Sequence, residues 1–416
     1  MPDNLNRTTV VIGAGIIGAS IAHTLQKTGR QVVLIDRDAP GHGASYGNMA
    51  SIAVTEFMPV ARPSIWRRMP CWMFDPAGPI RISPLYIPKM VPWLLRFMMA
   101  SRSSRVSALE THGAALCGRA LSDTQALLDE IELSDHLSQT GCLSLYASER
   151  EFGDDRERID MLDRFGFNYK VLGSNALRDL EPEISSSIQK AVLLPDNRTV
   201  ANPFQIVEQL VSVFSGKGGK VVCETVTGFT RSDAITGVQL SDGTLVRADE
   251  VVISAGAYTG RLSRMLGEPI PLETERGYST QINAPEISLN HSIIWPAKAF
   301  MVSPTAGGIR VGGTVEMAGL DAAPNYDRAK ITVKRAKEAL PNLKVGEVKE
   351  WMGHRPALPD TIPIISASAK IKGVFYATGH GHLGVTYAAT TARLLGQLMA
   401  GEATDLDLAP FRVNRF

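Results

Sequence analysis

A short apolar strand, a glycine-rich turn and a helix follow one another at the start of this chain, and this order restricts the fold strongly. Residues 8–12 are a β-branched run that suits a strand buried on both faces, as in a parallel sheet. Gly13-Ala-Gly-Ile-Ile-Gly18 comes next, Ile16 to Thr28 has helical apolar spacing, and Gln31 to Ile35 is a second buried strand followed by Asp36. A G-x-G-x-x-G at such a junction predicts a βαβ unit of a doubly wound sheet.

The glycines and the acidic residue of this unit each have a physical reason to be there. Gly13 permits a tight turn, Gly15 lets the backbone approach a pyrophosphate at the helix N-terminus, and Gly18 allows close packing of helix and strand. The Asp36 carboxylate can accept hydrogen bonds from a ribose diol. Arg37 would suit a 2′-phosphate, but Asp36 would repel one. The unit therefore predicts an adenine dinucleotide, and the lack of a second motif of this kind indicates that only one is bound.

The composition limits the alternatives. A chain of 416 residues exceeds one ordinary core and predicts two domains. Lys plus Arg number 43 and Asp plus Glu number 42, so the net charge gives no indication of nucleic-acid binding. The 4 cysteines lie far apart without a C-x-x-C pair. This pattern argues against zinc, an iron–sulfur cluster and a disulfide scaffold, and it favours a reducing compartment.

The stretch from Thr8 to Gln26 carries no charged residue and could be mistaken for a signal peptide or a membrane span. Its regularly placed glycines and polar Ser20, His23 and Thr24 make it weakly apolar, and a strand pattern follows directly. We therefore expect neither a cleaved signal nor a transmembrane helix, and a cytoplasmic location.

Six motifs spread over nearly the whole chain resemble those of one known family. They are Gly13-Ala-Gly-Ile-Ile-Gly18, Gly43-Ala-Ser-Tyr-Gly-Asn48, Val251-Val-Ile-Ser-Ala-Gly-Ala257, Glu275-Arg-Gly-Tyr278, Gly353-His-Arg-Pro356 with Leu358-Pro-Asp360, and Gly379-His-Gly-His-Leu-Gly384. Together they resemble the D-amino-acid oxidase superfamily of FAD-dependent oxidoreductases. The second and last motifs are most similar to bacterial D-amino-acid dehydrogenases, including those that act on D-proline or cis-4-hydroxy-D-proline.

The resemblance implies an α/β fold, α+β overall, in which a Rossmann-like FAD-binding domain is interleaved with a mixed-sheet substrate domain. We assign residues 1–58, 196–261 and 349–416 to the FAD-binding domain. Residues 59–195 and 262–348 lack dinucleotide features, alternate strands with helices and are assigned to the substrate-binding domain.

The resemblance also implies FAD as the cofactor. No cysteine stands near the C-terminal motifs, where sarcosine-oxidase relatives attach their flavin, so we expect FAD to be bound without a covalent bond. Small residues in 45–49 allow close approach and an asparagine there can bond to flavin edges, although an ordinary glycine-rich loop is the alternative. The expected FAD-binding residues are Gly13, Gly15, Ile16, Ile17, Gly18, Asp36, Arg37, Ser45, Tyr46, Gly47, Asn48, Met49, Val226, Ala255, Gly256, Gly379, His380, Gly381, His382, Leu383 and Gly384.

Flavin oxidises an amino acid by taking the Cα hydrogen as hydride, so positioning matters more than a strong base. A planar guanidinium pairs with both oxygens of a carboxylate. Arg355 matches the family arginine in G-x-R-P that holds the substrate carboxylate; its alternative is a structural arginine beside a proline. Tyr278 falls where relatives place an aromatic residue over the flavin, and its hydroxyl could bind carboxylate; ordinary packing is its alternative. Arg276 is a weaker candidate.

A second requirement is to stabilise the negative charge of the reduced flavin. Residues 374–377 predict a strand, 378–381 a glycine-rich turn, and Leu383 to Ala400 a helix whose N-terminus presents N–H groups and a positive dipole end. We expect His382 to face the flavin ring and tune it. His380 and His382 also raise the alternatives of a metal site or of caps on the turn. Their one-residue spacing and the lack of a following carboxylate or thiol argue against metal.

One segment departs from the neutral charge balance. Residues 57–109 contain 8 Lys or Arg and a single acidic residue, Asp75, together with Trp66, Trp72 and Trp93. Met69, Met73, Met90, Met98 and Met99 add flexible apolar bulk. This composition suits contact with a bilayer interface, through which reduced flavin would pass electrons to a quinone. Covering the substrate cavity or forming a subunit interface are the alternatives.

The resulting hypothesis is an FAD-dependent amino acid dehydrogenase or oxidase that acts on a D-amino acid, including cyclic secondary amines such as D-proline or hydroxy-D-proline. Hydride passes from Cα to flavin N5, and the electrons pass to quinone or O2. Oxidation of glycine, sarcosine or another N-alkyl amino acid is the second hypothesis, polyol-phosphate oxidation a more distant one, and a non-catalytic electron-relay subunit the third class. The sequence leaves the substrate, the acceptor and a homo- or hetero-oligomeric state open.

Overall fold

The computed structural model describes residues 7–66 and 78–416. It has the α/β architecture that the sequence predicts, with two large sheets. The strands are β1 (Thr8–Ile12), β2 (Gln31–Asp36), β3 (Ser51–Ile52), β4 (Ile80–Ile82), β5 (Cys142–Tyr146), β6 (Lys170–Gly173), β7 (Lys190–Leu194), β8 (Arg198–Thr199), β9 (Lys220–Cys223), β10 (Val226–Arg231), β11 (Ile235–Leu240), β12 (Leu245–Arg247), β13 (Glu250–Ile253), β14 (Glu273–Ile282), β15 (Ser292–Trp295), β16 (Phe300–Thr305), β17 (Gly308–Met317), β18 (Val348–Ala357), β19 (Ile364–Ala367) and β20 (Val374–Thr378). The α-helices discussed below are α1 (Ile16–Lys27), α2 (Ile87–Ala100), α3 (Ser103–Glu130), α4 (Glu149–Asp154), α5 (Arg156–Phe165), α6 (Ser174–Leu180), α7 (Pro203–Gly216), α8 (Thr259–Met265), α9 (Asp327–Ala339) and α10 (Gly384–Ala400).

The first sheet has six strands in the order β19-β20-β13-β1-β2-β9. All its pairs are parallel except β19 with β20. The central strands are apolar along their length because helices cover one face and the small sheet β10-β11-β12 lies on the other. Helix α1 packs against α7 and α10. The βαβ unit and the C-terminal strand, turn and helix predicted from sequence are therefore all present, in one sheet.

The second sheet has nine strands in the order β18-β14-β17-β16-β15-β5-β7-β6, with β4 added beside β17. Strands β14 and β18 pair antiparallel over ten residues each, so that Glu275 lies opposite Arg355 and Gly277 opposite Gly353. Helices α6 and α9 contribute apolar side chains to the core on this sheet. The long β14–β18 pair faces the first sheet and supplies one wall of the cavity described below.

Helix α2 belongs to the basic segment of residues 57–109. Its buried residues Met90, Trp93 and Phe97 pack with Met317 in a small apolar cluster. Trp93 stacks on Phe97 with ring centroids 5.1 Å apart. Trp72 and Asp75 of the same segment lie outside the described residues. The inner face of α2 covers part of the cavity described below, which is one of the alternatives that the sequence left open for this segment.

The division into domains follows the sheets in outline. Strands from residues 8–36, 220–223, 250–253 and 364–378 build the first sheet, so that the two sheets are interleaved along the chain. The predicted boundary at 349 falls inside β18, which pairs along its length with β14. We propose that the last boundary lies after Ala357 because cutting at 349 would divide a strand from its partner.

No helix within residues 7–66 and 78–416 is long and apolar enough to cross a membrane. Among the same residues Cys117 and Cys142 are buried and Cys223 is exposed, and each is a free thiol. Cys71 lies outside the described residues.

Candidate active site

A cavity of about 1000 Å³ lies between the carboxyl ends of the first sheet and the β14–β18 pair. We call it the central cavity. Most of the residues predicted from sequence to contact cofactor or substrate line it, although they come from distant parts of the chain. Those lining it are Gly13, Gly15, Ile16, Ile17, Asp36, Arg37, Ser45, Gly47, Asn48, Met49, Val226, Ala255, Gly256, Tyr278, Arg355, His380, Gly381, His382, Leu383 and Gly384. Gly18, Tyr46 and Gly379 do not line it.

The first glycine turn is shaped by close backbone contacts. Gly13 has φ +105°, and a Cβ there would lie 2.5 Å from the Ser254 carbonyl oxygen. A Cβ at Gly18 would overlap the Gly13 carbonyl oxygen and lie 2.7 Å from Ser254 Oγ. Gly18 therefore acts through packing of α1 on the turn, the role inferred from the motif, and it does not line the cavity.

The N-terminus of α1 opens into the central cavity. Gly15 is its N-cap and provides no side-chain cap. One first-turn donor is satisfied, since Ile16 N–H donates to Ser45 Oγ at 2.9 Å. The other N–H groups of the first turn and the positive dipole end face a site without acidic residues in the turn. This arrangement fits a bound pyrophosphate.

The Asp36 carboxylate lies beside this turn. It accepts hydrogen bonds from Ala14 N–H at 2.6 Å and from Asp38 N–H at 3.1 Å. Burial raises its pKa, while these two N–H groups oppose the rise. Arg37 stacks on the Tyr258 ring with its guanidinium carbon 3.8 Å from the ring centroid. These groups and the segment 224–227 form one end of the cavity, where the ribose and adenine of a dinucleotide fit.

The loop of residues 45–49 lines the middle of the cavity, with one exception. Tyr46 packs against Phe204, with ring centroids 5.0 Å apart, and accepts a hydrogen bond from Lys349 Nζ at 2.8 Å. Its ring and hydroxyl are therefore engaged by Phe204 and Lys349, and its contact with the cofactor stays a prediction. The Asn48 amide is used within the loop: it donates to the Ser45 carbonyl and accepts from Ala50 N–H, at 2.7 and 2.8 Å.

Trp351 also lines the cavity and was missed in the sequence. A Cβ at Gly47 or at Gly353 would overlap its indole ring. Both glycines therefore make room for this ring beside the cavity. In the sequence, the feature that pointed to Trp351 was the glycine of the G-H-R-P motif, Gly353. Its role becomes clear only once Gly353 and Gly47 are seen on either side of this tryptophan.

The C-terminal motif forms the wall opposite α1. Gly381 N–H donates to the Pro356 carbonyl at 2.9 Å, which fixes the turn to β18. His380 is buried, and its Nε2 lies 3.0 Å from Thr391 Oγ1; burial lowers its pKa to about 3. Gly379 instead packs under Leu358, where a Cβ would overlap that side chain. Helix α10 begins at Gly384 without a side-chain cap, so its first-turn N–H groups face the cavity.

His382 projects into the cavity close to Arg355. Burial and, to a smaller extent, the neighbouring Arg355 charge together lower its pKa to about 4. The imidazole is therefore neutral near pH 7. Among the described residues no three His, Cys, Asp or Glu side chains are grouped so as to hold a metal ion.

Arg355 and Glu275 lie opposite each other on β18 and β14 and both line the cavity. The guanidinium lies over Gly277, where a Cβ would be 2.7 Å from Arg355 Nε. Burial lowers the pKa of Arg355, and Glu275 opposes this. Neither side chain has a hydrogen bond or ion pair with any residue in the described ranges. Glu275 and Gly277 were not predicted; the alternation along β14 identifies them once its pairing with β18 is known.

Tyr278 borders the cavity, but its hydroxyl is already engaged. It donates to Glu316 Oε2 at 2.5 Å and accepts from Asn325 N–H at 3.0 Å. Arg276, the weaker candidate, is fully buried and donates to the carbonyls of Gly319, Ala322 and Ala323. In this geometry the Tyr278 hydroxyl is therefore not available to bind a substrate carboxylate. Tyr278 and Arg276 both hold the loop that follows β17 in place.

One part of the cavity wall is apolar. Residues Ile82, Met90, Trp93, Phe97, Val315 and Met317 form a chamber next to the end of β14 that carries Glu275. Gly277 pairs with Val315 across β14 and β17, which places the chamber beside Arg355. The cavity thus combines a helix end suited to an anion, a guanidinium that has no ion pair with the described part of the chain, and an apolar chamber.

Comparisons with known proteins agree with the cofactor site that this geometry indicates. Residues 8–398 match the family model for FAD-dependent oxidoreductases of the DAO type. This chain belongs to that family. It is an FAD-dependent oxidoreductase, as the sequence predicts, and the glycine turn, Asp36 and the two uncapped helix ends are the groups that fit FAD.

Named relatives cover the whole length of the chain. A D-amino-acid oxidase of Bradyrhizobium diazoefficiens is 32% identical over 428 residues, covering 100% of both chains. A D-amino acid dehydrogenase of Rhizobium rhizogenes is 26% identical, covering 98% of this chain and 99% of its own. The solved structure of glycine oxidase from Geobacillus kaustophilus has a TM-score of 0.77 at 20% identity, covering 99% of each chain. This likeness confirms the FAD-oxidoreductase fold.

Proposed function

We propose that this protein dehydrogenates a D-amino acid, with Arg355 holding the substrate carboxylate. The observation that carries the proposal is the Arg355 guanidinium, which lines the cavity without a protein partner among the described residues. A guanidinium with its donors unused in this way gains most from a ligand carboxylate, which it binds through two parallel hydrogen bonds. The two relatives at 32% and 26% identity, named for D-amino acids, support the same substrate class.

FAD, when bound, supplies the hydride acceptor. The chain's own groups orient the substrate and exclude water. Arg355 fixes the carboxylate, the apolar chamber removes water from the side chain, and neutral His382 adds no second positive charge beside Arg355. The first-turn N–H groups of α10 lie where negative charge on a flavin would be stabilised.

The apolar chamber supports a substrate with an apolar side chain or ring. Its six lining residues contribute no charged group. D-Leucine and D-phenylalanine fit this chemistry, and so does the ring of D-proline, the finer substrate expected from the motifs. Hydroxy-D-proline would bring a hydroxyl against apolar walls and fits less well.

Anaerobic reduction of the protein-bound flavin tests the proposal. The panel contains D-leucine, D-phenylalanine, D-proline, hydroxy-D-proline, their L-forms, glycine and sarcosine. We expect rapid bleaching by apolar D-amino acids, and a loss of about 100-fold or more in the bleaching rate at low substrate in Arg355→Ala. Exposed Arg156→Lys is the control. Bleaching by glycine or sarcosine alone would select the N-alkyl amino acid hypothesis, and no bleaching at all would favour an electron-relay subunit.

We further propose that the outer face of α2 rests on an anionic membrane. Large apolar side chains are exposed on this helix, Val91 45%, Leu95 52%, Met98 49% and Met99 50%, and in the turn just before it, Leu85 93%. Lys89 and Arg96 are exposed on the same helix, which carries no acidic residue. An apolar strip with basic flanks matches an anionic bilayer surface. The inner face of α2 lines the cavity, so contact there would bring a quinone close to the flavin.

Vesicle co-sedimentation tests this contact. We expect the holoprotein to sediment with vesicles containing phosphatidylglycerol at low salt and to be released when Leu95 and Met99 are both replaced by serine. The double replacement of exposed Val171 and Val221 by serine is the control. Absence of sedimentation at low salt would overturn the membrane proposal and leave a subunit interface as the use of this face.

A further inference from the structure

Glu275 is an acidic side chain placed where the proposed reaction has no assigned role for it. It lies on β14, directly opposite Arg355 on β18, and lines the central cavity. Burial raises its pKa, and the Arg355 charge opposes that rise. A carboxylate in such a place costs free energy unless a cation balances it.

The obvious cation is not used. Arg355 is the cross-strand neighbour of Glu275, yet the two make no ion pair, and Glu275 accepts no hydrogen bond from any of residues 7–66 and 78–416. Gly277 explains the separation, because the missing side chain lets the guanidinium lie along β14 over residue 277. The cavity therefore presents one positive and one negative group side by side, each with free hydrogen-bonding capacity.

We propose that Glu275 binds the ammonium group of the substrate. The inference rests on the proposed function and adds a second anchor to it. The carboxylate and ammonium groups of an α-amino acid are joined through one carbon atom, so a ligand with both charges needs two opposite charges at neighbouring positions. Glu275 and Arg355 meet this need, and the adjacent apolar chamber takes the side chain. The pair thereby selects amino acids over hydroxy acids and plain carboxylic acids.

A comparison within β14 shows that the environment of Glu275 is distinctive. Glu273 stands two residues earlier on the same strand, but its carboxylate accepts hydrogen bonds from the Tyr86 hydroxyl at 2.9 and 3.0 Å. It does not line the cavity. Glu273 is thus a satisfied structural carboxylate, and Glu275 is one that awaits a ligand cation.

Paired ligands separate this role from a structural one. D-Leucine carries both charges, and 4-methylpentanoate is the same skeleton without the amino group. In Glu275→Gln we expect the dissociation constant of D-leucine, from stopped-flow flavin reduction, to rise about 10-fold or more. The dissociation constant of 4-methylpentanoate, from the perturbed flavin absorbance, should fall, because the variant removes a negative charge that repels this anion. Glu273→Gln should change neither constant.

The two outcomes of opposite sign make the test decisive. A general loss of packing would weaken both ligands, and that result would overturn the inference, as would two unchanged constants. Failure of the proposed function has a different signature: wild-type flavin would not be reduced by any D-amino acid in the panel. If D-leucine reduces the wild-type flavin and Glu275→Gln binds D-leucine with unchanged affinity, the proposed function is supported and the proposed ammonium site is refuted.

Discussion

Replacing Gly277 by alanine should damage carboxylate binding without touching a charged residue. A Cβ at 277 would overlap Arg355 Cζ and Nη2 and lie 2.7 Å from Arg355 Nε, whereas ordinary contact begins at 3.4 Å, so the guanidinium must move by more than about 0.7 Å. Two parallel hydrogen bonds to one carboxylate do not survive such a shift.

Losing one charge-assisted hydrogen bond of the pair costs about 1.5–3 kcal/mol, which corresponds to roughly 10- to 150-fold in affinity. We therefore expect the dissociation constant of 4-methylpentanoate to rise by about 10-fold or more in Gly277→Ala. The assay is titration of the flavin absorbance in the purified holoprotein. Alanine is tolerated in a strand and reduces the conformational freedom of the unfolded chain. Its backbone preferences should therefore not lower the free energy of unfolding.

Two controls test whether Gly277→Ala acts through the position of Arg355. Gly307→Ala places its Cβ 3.6 Å from Gln281 Nε2, an ordinary contact outside the cavity, and should bind the ligand normally. In an Arg355→Ala background, Gly277→Ala should have no further effect, because the displaced group is gone. Unchanged affinity in the single variant, or equal losses in both backgrounds, would refute the account of how Gly277 positions Arg355.

Three further outcomes are expected. Gly13→Ala should lower FAD retention on desalting, because the new Cβ would lie 2.5 Å from the Ser254 carbonyl oxygen at φ +105°, and full retention would contradict the role of the turn. His380 is buried, and its pKa in the folded protein is lowered to about 3. Below pH 6.5 the unfolded chain therefore takes up a proton at His380 that the folded chain does not, so the free energy of unfolding decreases as the pH falls. Between pH 7.5 and 5, denaturant unfolding of wild type should lose roughly 2 kcal/mol more than His380→Gln; equal losses would contradict this. Arg355→Lys should bind 4-methylpentanoate more weakly by about 10-fold, and equal affinity would show that the planar fork is not needed.

The sequence alone identified the parts of the site that depend on neighbours along the chain. The β1–α1–β2 unit is recognisable because glycine spacing and apolar periodicity are local properties, and its strands and helix are found within one residue of the predicted bounds. Arg355 and the 379–384 turn were found through motifs of a few residues. Tyr46 and Gly379 stand inside correct motifs yet face away from the cavity, because a motif does not state which side of a turn each side chain takes.

Pairing between strands decided the rest. Glu275, Gly277 and Trp351 become part of the site only because β14 and β18 lie antiparallel in a register that sets residue 275 opposite 355. No local signal contains that register, since it depends on which strands about seventy residues apart are brought together by the surrounding core. The amino-acid order thus determined the cofactor-binding unit and identified the arginine that we propose binds the substrate. The tertiary structure determined that this arginine lies over a glycine, beside a carboxylate with no ion pair among the described residues, because only packing between distant strands brings charges into one cavity.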